Sequence, residues 1–197
     1  MIHILAVTYG HTTELDIFLG SFIMQSRQDW RLQLWHDGEP PSRVKAIIKR
    51  YSKDQRISLM HTEEHNGKWG HISRRISLER LQGSPTEDFV LLTNADNYYV
   101  PTFIEQMQDA IKSHEKMGIV YCDTIHSHLK YGYHQSRLHE GGLDMGCAIV
   151  RLDIAKSIGF VHEHFSADGR YLEDCAKAAA TASLAACHID RGLFIHN

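Results

Sequence analysis

The chain has 197 residues, 43% of them hydrophobic and 23% charged, with a formal net charge of -3 at pH 7. That length suits one domain better than two, and that composition excludes long disordered or fibrous segments. The slightly acidic balance offers no basic surface, so a nucleic-acid partner is not expected.

Cysteine usage and hydropathy set the expected environment. Cys122, Cys147, Cys175 and Cys187 are widely spaced and form no CxxC pair. They suit buried thiols in a reducing compartment, so we expect a cytoplasmic protein. The N-terminal run MIHILAV is too short to span a bilayer, and no later window reaches eighteen apolar residues. No membrane span is therefore expected in this chain.

The first hundred residues alternate between strand-like and helix-like patterns. Apolar runs predict strands at 2–7, 31–37, 57–62 and 89–94. Amphipathic stretches between them predict helices at 14–25, 42–53 and 72–81. This alternation indicates an α/β fold with a mostly parallel central sheet flanked by helices.

The second half continues the pattern and then departs from it. Pro101 predicts the first turn of a helix that runs to about residue 114, and a strand follows at 118–123. Residues 124–143 are polar and rich in His, Tyr and Gly, which predicts an active-site loop or irregular hairpin. A strand at 144–151 and helices at 152–160 and 171–186 are expected next. With no repeat or linker, residues 1–197 are predicted to form a single domain.

In an α/β sheet the residues that follow each strand approach the ligand. Here they are Thr8 and Tyr9, Asp37, His61 to His65, and Asn94 to Asn97. The chain has neither a GxGxxG nor a GxxxxGK[ST] motif, which disfavours the two common nucleotide-binding folds. An aromatic ring with two carboxylates among amides could stack on a base, bind a ribose and hold a divalent cation on a diphosphate.

Each acidic candidate also has a structural interpretation. Asp96, with Asn94 and Asn97, offers the oxygen ligands of Mg²⁺ or Mn²⁺, but the same residues suit a polar turn. Asp37 precedes Gly38 and could be a turn residue. Glu173 and Asp174, predicted to open the alanine-rich helix, could complement the helix dipole or act as a general base.

Histidines are numerous, fifteen in all. The pairs at 126 and 128 and at 162 and 164 lack the i, i+4 spacing of a zinc protease and a cysteine partner, so a zinc site is not expected. His196 follows the apolar run LFI and could fold back onto a metal.

In order and spacing, several segments resemble the family 2 glycosyltransferases, the nucleotide-diphospho-sugar transferases of GT-A fold. The segments are ILAVTYGHTTELDIFLGSFIMQS, LWHDG, HNGKWGHISRRISLE, FVLLTNADNYYVPTFIEQM, GCAIVRLDIAKSIGF and YLEDCAKA. The resemblance covers nearly the whole chain. It implies a nucleotide-binding half at about 1–100 and an acceptor or catalytic half at about 101–197.

The resemblance also implies a donor site. Its residues would be Thr8, Tyr9, Glu14, Asp37, Asn66, Lys68, Arg74, Asn94, Ala95, Asp96, Asp144 and Gly146. Thr8, Tyr9 and Glu14 would lie at the base, and Asp37 at the base or ribose. Residues 94–96 occupy the place of the family's DxD motif, with Asn94 at its first acidic position. Asp96 and His196 would bind Mn²⁺ or Mg²⁺.

By the same resemblance, Asp174 would be the base of an inverting transfer and Glu173 its partner in the family's ED motif. The expected function is transfer of a hexose-type sugar from a nucleotide-diphosphate sugar, UDP-linked, to a hydroxyl of a glycan, lipid-linked or protein-linked acceptor. Two alternatives stay open: a non-catalytic sugar-nucleotide or glycan-binding module of the same fold, and a nucleotidyltransferase.

Overall fold

A computed structural model of the chain describes residues 1–10 and 12–197. The described residues form one nine-stranded sheet and six α-helices. The strands are β1 (Ile2–Thr8), β2 (Trp30–His36), β3 (Ile57–His61), β4 (Phe89–Asn94), β5 (Tyr98–Tyr99), β6 (Met117–His126), β7 (Gly132–His134), β8 (Ala148–Arg151) and β9 (Ala185–His196). The helices are α1 (Thr12–Ile23), α2 (Ser42–Tyr51), α3 (His71–Arg80), α4 (Phe103–Lys112), α5 (Leu152–Ile158) and α6 (Ala167–Thr181).

The first four long strands confirm the predicted parallel arrangement. β1 lies between β2 and β4 and runs parallel to both, and β3 extends this half beyond β2. All seven residues of β1 are buried, as expected for a strand covered on both faces. Thr8 pairs with His36, and Val7 pairs with Asn94. The carboxyl ends of β1, β2 and β4 therefore meet at one edge of the sheet.

The second half of the sheet is mixed. β8 is antiparallel to both β4 and β6, while β9 runs parallel to β6 and continues the sheet to the short β5. β7 forms a hairpin with the end of β6. The α/β fold with a mostly parallel sheet is confirmed, and the mixed strands surround the ends of β4 and β6.

Aromatic side chains fill much of the core beside β9. Tyr99 packs against Phe103 and Phe194 with ring centroids 4.6 and 5.3 Å apart, and Phe18 and Phe22 complete the cluster. All five side chains are fully buried. Burial of each phenylalanine contributes about 1.5–3 kcal/mol relative to exposure, so this cluster is a major source of stability.

Three element predictions were wrong in detail. The alanine-rich helix begins at Ala167 and ends at Thr181, where 171–186 was expected. Residues 185–196 form a strand that the sequence did not indicate beyond the run LFI. The strand expected at 144–151 starts only at Ala148, after a 3-10 turn at Met145–Cys147.

The helix predicted at 152–160 ends two residues earlier, at Ile158. Gly159, at φ +66°, follows the last residue of α5. No helix of the described residues has the length and hydrophobicity needed to cross a membrane.

Candidate active site

Two adjoining cavities open where the parallel strands end. The first, of about 310 Å³, is lined by Val7, Thr8, Tyr9, Asp37, His65, Gly67, Trp69, Gly70, Asn94, Ala95 and Asp96. The second, of about 410 Å³, is lined by Trp69, His71, Arg74, Asn94, His126, His134, Gly141, Leu143, Asp144, Phe165, Ser166, Asp168, Gly169 and His196. Trp69 and Asn94 line both, so one bound molecule could extend from the first cavity into the second.

Asp37 anchors the wall of the first cavity. Its Oδ1 accepts hydrogen bonds from the backbone N–H of Asn66 at 2.9 Å and from the Asn66 side chain at 3.2 Å. Its Oδ2 accepts from the Gly67 N–H at 2.9 Å and lies 2.9 Å from His65 Nδ1. Asp37 therefore holds the loop at 62–67 against the end of β2.

The surroundings of Asp37 also set its charge. Burial alone would raise the pKa of this carboxyl, but the hydrogen bonds from Asn66 and Gly67 and the nearby His65 outweigh it. The pKa lies below its ordinary value, so Asp37 is ionised throughout the neutral range.

An aromatic surface lies at the mouth of the first cavity. The rings of Tyr9 and His65 stack with centroids 4.2 Å apart and an interplanar angle of 15°. Tyr9 is 55% exposed, which leaves ring surface open to a planar ligand. Thr8 lies beside it and is buried. Glu14, in the first turn of α1, is not among the residues that line either cavity.

The segment at 67–70 has an unusual backbone. Gly67, Lys68, Trp69 and Gly70 all have positive φ, between 50° and 78°. Such conformations are rare for residues other than glycine, and they concentrate at functional sites. The segment exposes 63% of Trp69 at the junction of the cavities. The Lys68 ammonium forms an ion pair with Glu163 and does not line the first cavity.

Arg74 in α3 lies beneath the junction and is fully buried. It donates hydrogen bonds to the Trp69 carbonyl at 2.7 Å and to Asn94 Oδ1. Burial lowers the pKa of Arg74, while the fields of Asp168, Asp144 and Asp96 oppose that effect. The positive charge of Arg74 thus partly offsets the negative charges of these three carboxylates.

The end of β4 carries the predicted metal-binding motif. Asn97 is buried, and its amide donates to Thr93 Oγ1 at 3.3 Å, so it stabilises the turn. Asp96 and the buried Ala95 line the first cavity. Mg²⁺ and Mn²⁺ bind proteins through one or two carboxylates and complete their shell with phosphate and water. Asp37 is held by the loop at 62–67, so Asp96 is the carboxylate of this cavity that fits such an ion beside a diphosphate.

Asp168 is a carboxylate of the second cavity that the sequence prediction missed. It lies in the first turn of α6, and its Oδ1 is enclosed without a hydrogen-bond partner among the described residues. Burial raises the pKa of Asp168 to about 6, with Asp144 adding to the effect and Arg74 and His196 opposing it. A carboxylate that is ionised at neutral pH yet weakly basic has the property of a general base.

Glu173 and Asp174 lie one to two turns further along α6, outside the residues that line the cavities. Asp174 Oδ2 accepts one hydrogen bond, from Arg170 Nε at 3.1 Å, and lies 3.2 Å from His162 Nε2. Hydrogen bonds from Lys177 and from the Glu140 N–H lower the pKa of Glu173 to about 2. Their catalytic roles stay predictions, and the geometry favours Asp168.

Gly146 has a packing role. A Cβ there would lie 2.6 Å from the Phe194 ring, and the Gly146 carbonyl accepts a hydrogen bond from Tyr99 at 2.9 Å. Its N–H donates to Asp144 Oδ1 at 2.7 Å. Gly146 therefore orients Asp144, which lines the second cavity, without lining a cavity itself.

The two predicted metal ligands line different cavities. Asp96 belongs to the first, and His196 belongs to the second, where its Nδ1 lies 3.2 Å from His126 Nδ1. Burial lowers the pKa of His126, and the neighbouring His196, His128 and His134 lower it further. A cation shared by Asp96 and His196 stays a prediction.

Comparisons with known proteins agree with this architecture. The sequence model described as "Glycosyl transferase family 2" matches residues 4–179. No curated protein matches the sequence significantly.

Solved structures show the same fold at low sequence identity. TarS 1–349 of S. aureus superimposes on all of this chain with a TM-score of 0.81 at 15% identity, and the match covers 60% of the TarS chain. The same protein in complex with UDP matches 99% of this chain and 60% of its own chain, with a TM-score of 0.78 and 16% sequence identity. The mannosyltransferase PcManGT of Pyrobaculum calidifontis was solved in complex with GDP-Man and Mn²⁺. It matches 99% of this chain and 56% of its own chain, with a TM-score of 0.71 and 12% sequence identity. This chain therefore spans a little over half the length of each of these three solved chains, and 36% of a longer TarS chain.

Proposed function

Since the chain belongs to glycosyl transferase family 2, we propose that it transfers a hexose-type sugar from a nucleotide-diphosphate sugar to an acceptor hydroxyl. One observation carries the proposal: a cavity with an aromatic mouth and Asp96 adjoins a second cavity that is lined by the carboxylate of Asp168, whose Oδ1 is enclosed. A sugar bridging them at Asn94 would have a leaving group on one side and a base on the other.

The first cavity would bind the nucleotide diphosphate. Tyr9 offers its exposed ring to the base, and the loop held by Asp37, whose His65 stacks on Tyr9, forms the adjoining wall. We propose a UDP-linked donor, supported by the TarS relative solved with UDP. The PcManGT relative was solved with GDP-Man, so guanosine donors belong in the test.

Asp96 would hold Mg²⁺ or Mn²⁺ against the diphosphate. When bound, such an ion supplies positive charge that stabilises the leaving group. Arg74, buried beneath Asn94, adds a fixed positive charge close to the same junction. Preorganised charge of this kind favours the transition state more than the ground state.

Asp168 would act as the general base of an inverting transfer. The acceptor oxygen attacks the anomeric carbon from the face opposite the diphosphate, and Asp168 takes the hydroxyl proton. The bond from the anomeric carbon to the phosphate oxygen breaks, and its electron pair leaves with the diphosphate. A pKa of about 6 keeps Asp168 ionised at neutral pH and basic enough to share the proton in the transition state.

The acceptor would enter beside two exposed aromatic residues. Trp69 is 63% and Phe165 83% exposed, and their rings meet edge to face with centroids 6.3 Å apart. Aromatic rings of this kind pack on the apolar face of a sugar, which favours a glycan acceptor, free or linked to lipid or protein.

Two further expectations are part of the proposal. The first cavity draws its residues from positions 7–96 and the second mainly from positions 126–196, which supports a nucleotide-binding half and an acceptor half. All four cysteines are free thiols, three of them buried, which supports a cytoplasmic location.

Calorimetric titration tests the donor. UDP, UDP-sugars and GDP-sugars are titrated with and without Mn²⁺ into the wild type and Asp96→Ala. We expect metal-dependent binding to one nucleotide class that the variant loses. If no nucleotide binds the wild type, the proposed function is wrong.

A matched pair of variants in α6 tests which carboxylate is the general base. Asp168→Asn is expected to bind donor normally but to lose about 10²–10⁴ in turnover, and Asp174→Asn to keep most of it. The opposite result would restore Asp174 as the base. Donor binding without turnover in the wild type, and unchanged binding in both variants, would favour a binding module.

A further inference from the structure

Three imidazoles converge at one side of the second cavity. His126 ends β6 and His196 ends β9, and the two residues are paired across these parallel strands. His128 lies in the 3-10 turn that follows β6. One ring nitrogen from each of His126, His128 and His196 lies within 4.8 Å of the other two. The fold thus assembles a three-histidine cluster that the spacing in the sequence did not predict.

The spacing of the nitrogens is close to that of a metal site. His126 Nδ1 and His196 Nδ1 are 3.2 Å apart. With nitrogen–zinc distances of 2.0–2.1 Å, two ligands of a tetrahedral zinc lie roughly 3.3 Å apart. Because His128 is exposed, its ring can close the remaining distance by rotation about its own side-chain bonds.

A carboxylate supports the cluster from outside. His196 Nε2 lies 3.5 Å from Asp144 Oδ2. A proton on Nε2, shared with Asp144, leaves the Nδ1 lone pair of His196 directed toward His126. Histidine ligands of metal ions commonly donate their other ring N–H to a carboxylate, which fixes the tautomer and the ring orientation.

The donor set selects a class of ion. Three imidazole nitrogens suit zinc and other late first-row divalent ions, whereas Mg²⁺ and Mn²⁺ prefer oxygen ligands. His126 and His196 line the second cavity, so a fourth coordination position would face that cavity. A site with three protein ligands and one open position binds water or a ligand oxygen.

We propose that His126, His128 and His196 bind one late first-row divalent ion, such as Zn²⁺, at a site distinct from Asp96. This site goes beyond the proposed transfer reaction, which assigns the base to Asp168 and the diphosphate cation to Asp96. It also places His196 in a different metal site from the one that the family resemblance implies. Its vacant position would present the metal to whatever occupies the acceptor side of the second cavity.

The experiment uses the full chain, freed of metal by chelation. Zn²⁺ is titrated calorimetrically, and Co²⁺ is added separately to record its visible absorption. We expect one Zn²⁺ per chain and the intense Co²⁺ bands of a tetrahedral site. His128→Ala and His126→Ala should weaken Zn²⁺ binding at least about tenfold, because each removes a proposed ligand and loss of even a residue that only supports a ligand costs about that much.

Two controls separate this site from other histidines and from the donor site. His164→Ala removes the second histidine of the other H-x-H pair, also exposed, and should leave Zn²⁺ affinity unchanged. Asp96→Ala should also keep Zn²⁺ binding while losing any metal-dependent nucleotide binding. Thermal unfolding without metal should be the same for His128→Ala and the wild type, because the side chain is exposed.

The proposal is wrong if the metal-free wild type binds no Zn²⁺, and two further outcomes would overturn it. One is Zn²⁺ affinity in the His126 and His128 variants equal to that of the wild type. The other is loss of Zn²⁺ binding in Asp96→Ala. None of these outcomes bears on nucleotide binding in the wild type, so this site and the proposed transfer reaction succeed or fail separately.

Discussion

Replacing Asp37 with asparagine tests whether one carboxylate holds the wall of the donor cavity. Asparagine keeps an oxygen for the two hydrogen bonds from Asn66. Its NH₂ group takes the place of Oδ2, however, and cannot accept a hydrogen bond from the Gly67 N–H or from His65. Hydrogen bonds to a charged group contribute about 1.5–3 kcal/mol each. Because His65 is half exposed and can turn to water, and the Gly67 N–H is only partly buried, we expect a loss of about 2 kcal/mol, near the contribution of one such bond.

Urea unfolding at pH 7 measures this loss, with Asp109→Asn as the control. Asp109 is exposed and pairs with Arg27, so its replacement should cost less than about 1 kcal/mol. The pKa of Asp37 is lowered in the folded state, so its contribution is present above the ordinary value near 4 and is lost as the pH falls further. The difference in the free energy of unfolding between variant and wild type should therefore become smaller in acid. A difference under about 1 kcal/mol at pH 7, or one that grows in acid, would refute the reasoning.

Three other predictions concern the two cavities. Turnover should rise with pH around a midpoint of about 6, because Asp168 must lose its proton, and the pH profile of Asp168→Asn should lack that rise. Gly146→Ala should destabilise the fold by about 1–3 kcal/mol in thermal unfolding, since its methyl group would overlap Phe194. Tyr9→Ala should weaken nucleotide binding in calorimetry by about 1–3 kcal/mol through lost stacking, and an unchanged affinity would contradict the assigned base site.

Much of the fold followed from local patterns because buried parallel strands carry continuous apolar runs. β1 and β4 are nearly uniform in hydrophobicity, and their predicted bounds agree with the structure to within a residue. β9 escaped prediction because its burial is uneven: only Leu193 and Phe194 of its twelve residues are buried. Its pairing with β6 depends on contacts about seventy residues apart, which no local pattern records.

The site was harder to predict than the sheet, because its residues converge from distant segments. Starting the last helix at 171 instead of Ala167 moved its first turn past Asp168 and toward Asp174. The segment SADG at 166–169 was a signal for the earlier start, because serine is common immediately before a helix and aspartate in its first turn. The histidine cluster joins positions seventy residues apart, so spacing within one segment could not reveal it.

The place of β9 has a consequence for how the molecule folds. This last strand inserts between β6 and β5, so β5 has no partner and one edge of β6 stays unpaired until residues 185–196 are in place. Contacts over such sequence separations slow folding, and unpaired strand edges promote association between chains. A ribosome would release most of the sheet before β9, which leaves a long interval in which β6 is open to wrong pairing. Substitutions in β9 should thus lower the yield of folded protein more than they lower the stability of the protein once folded.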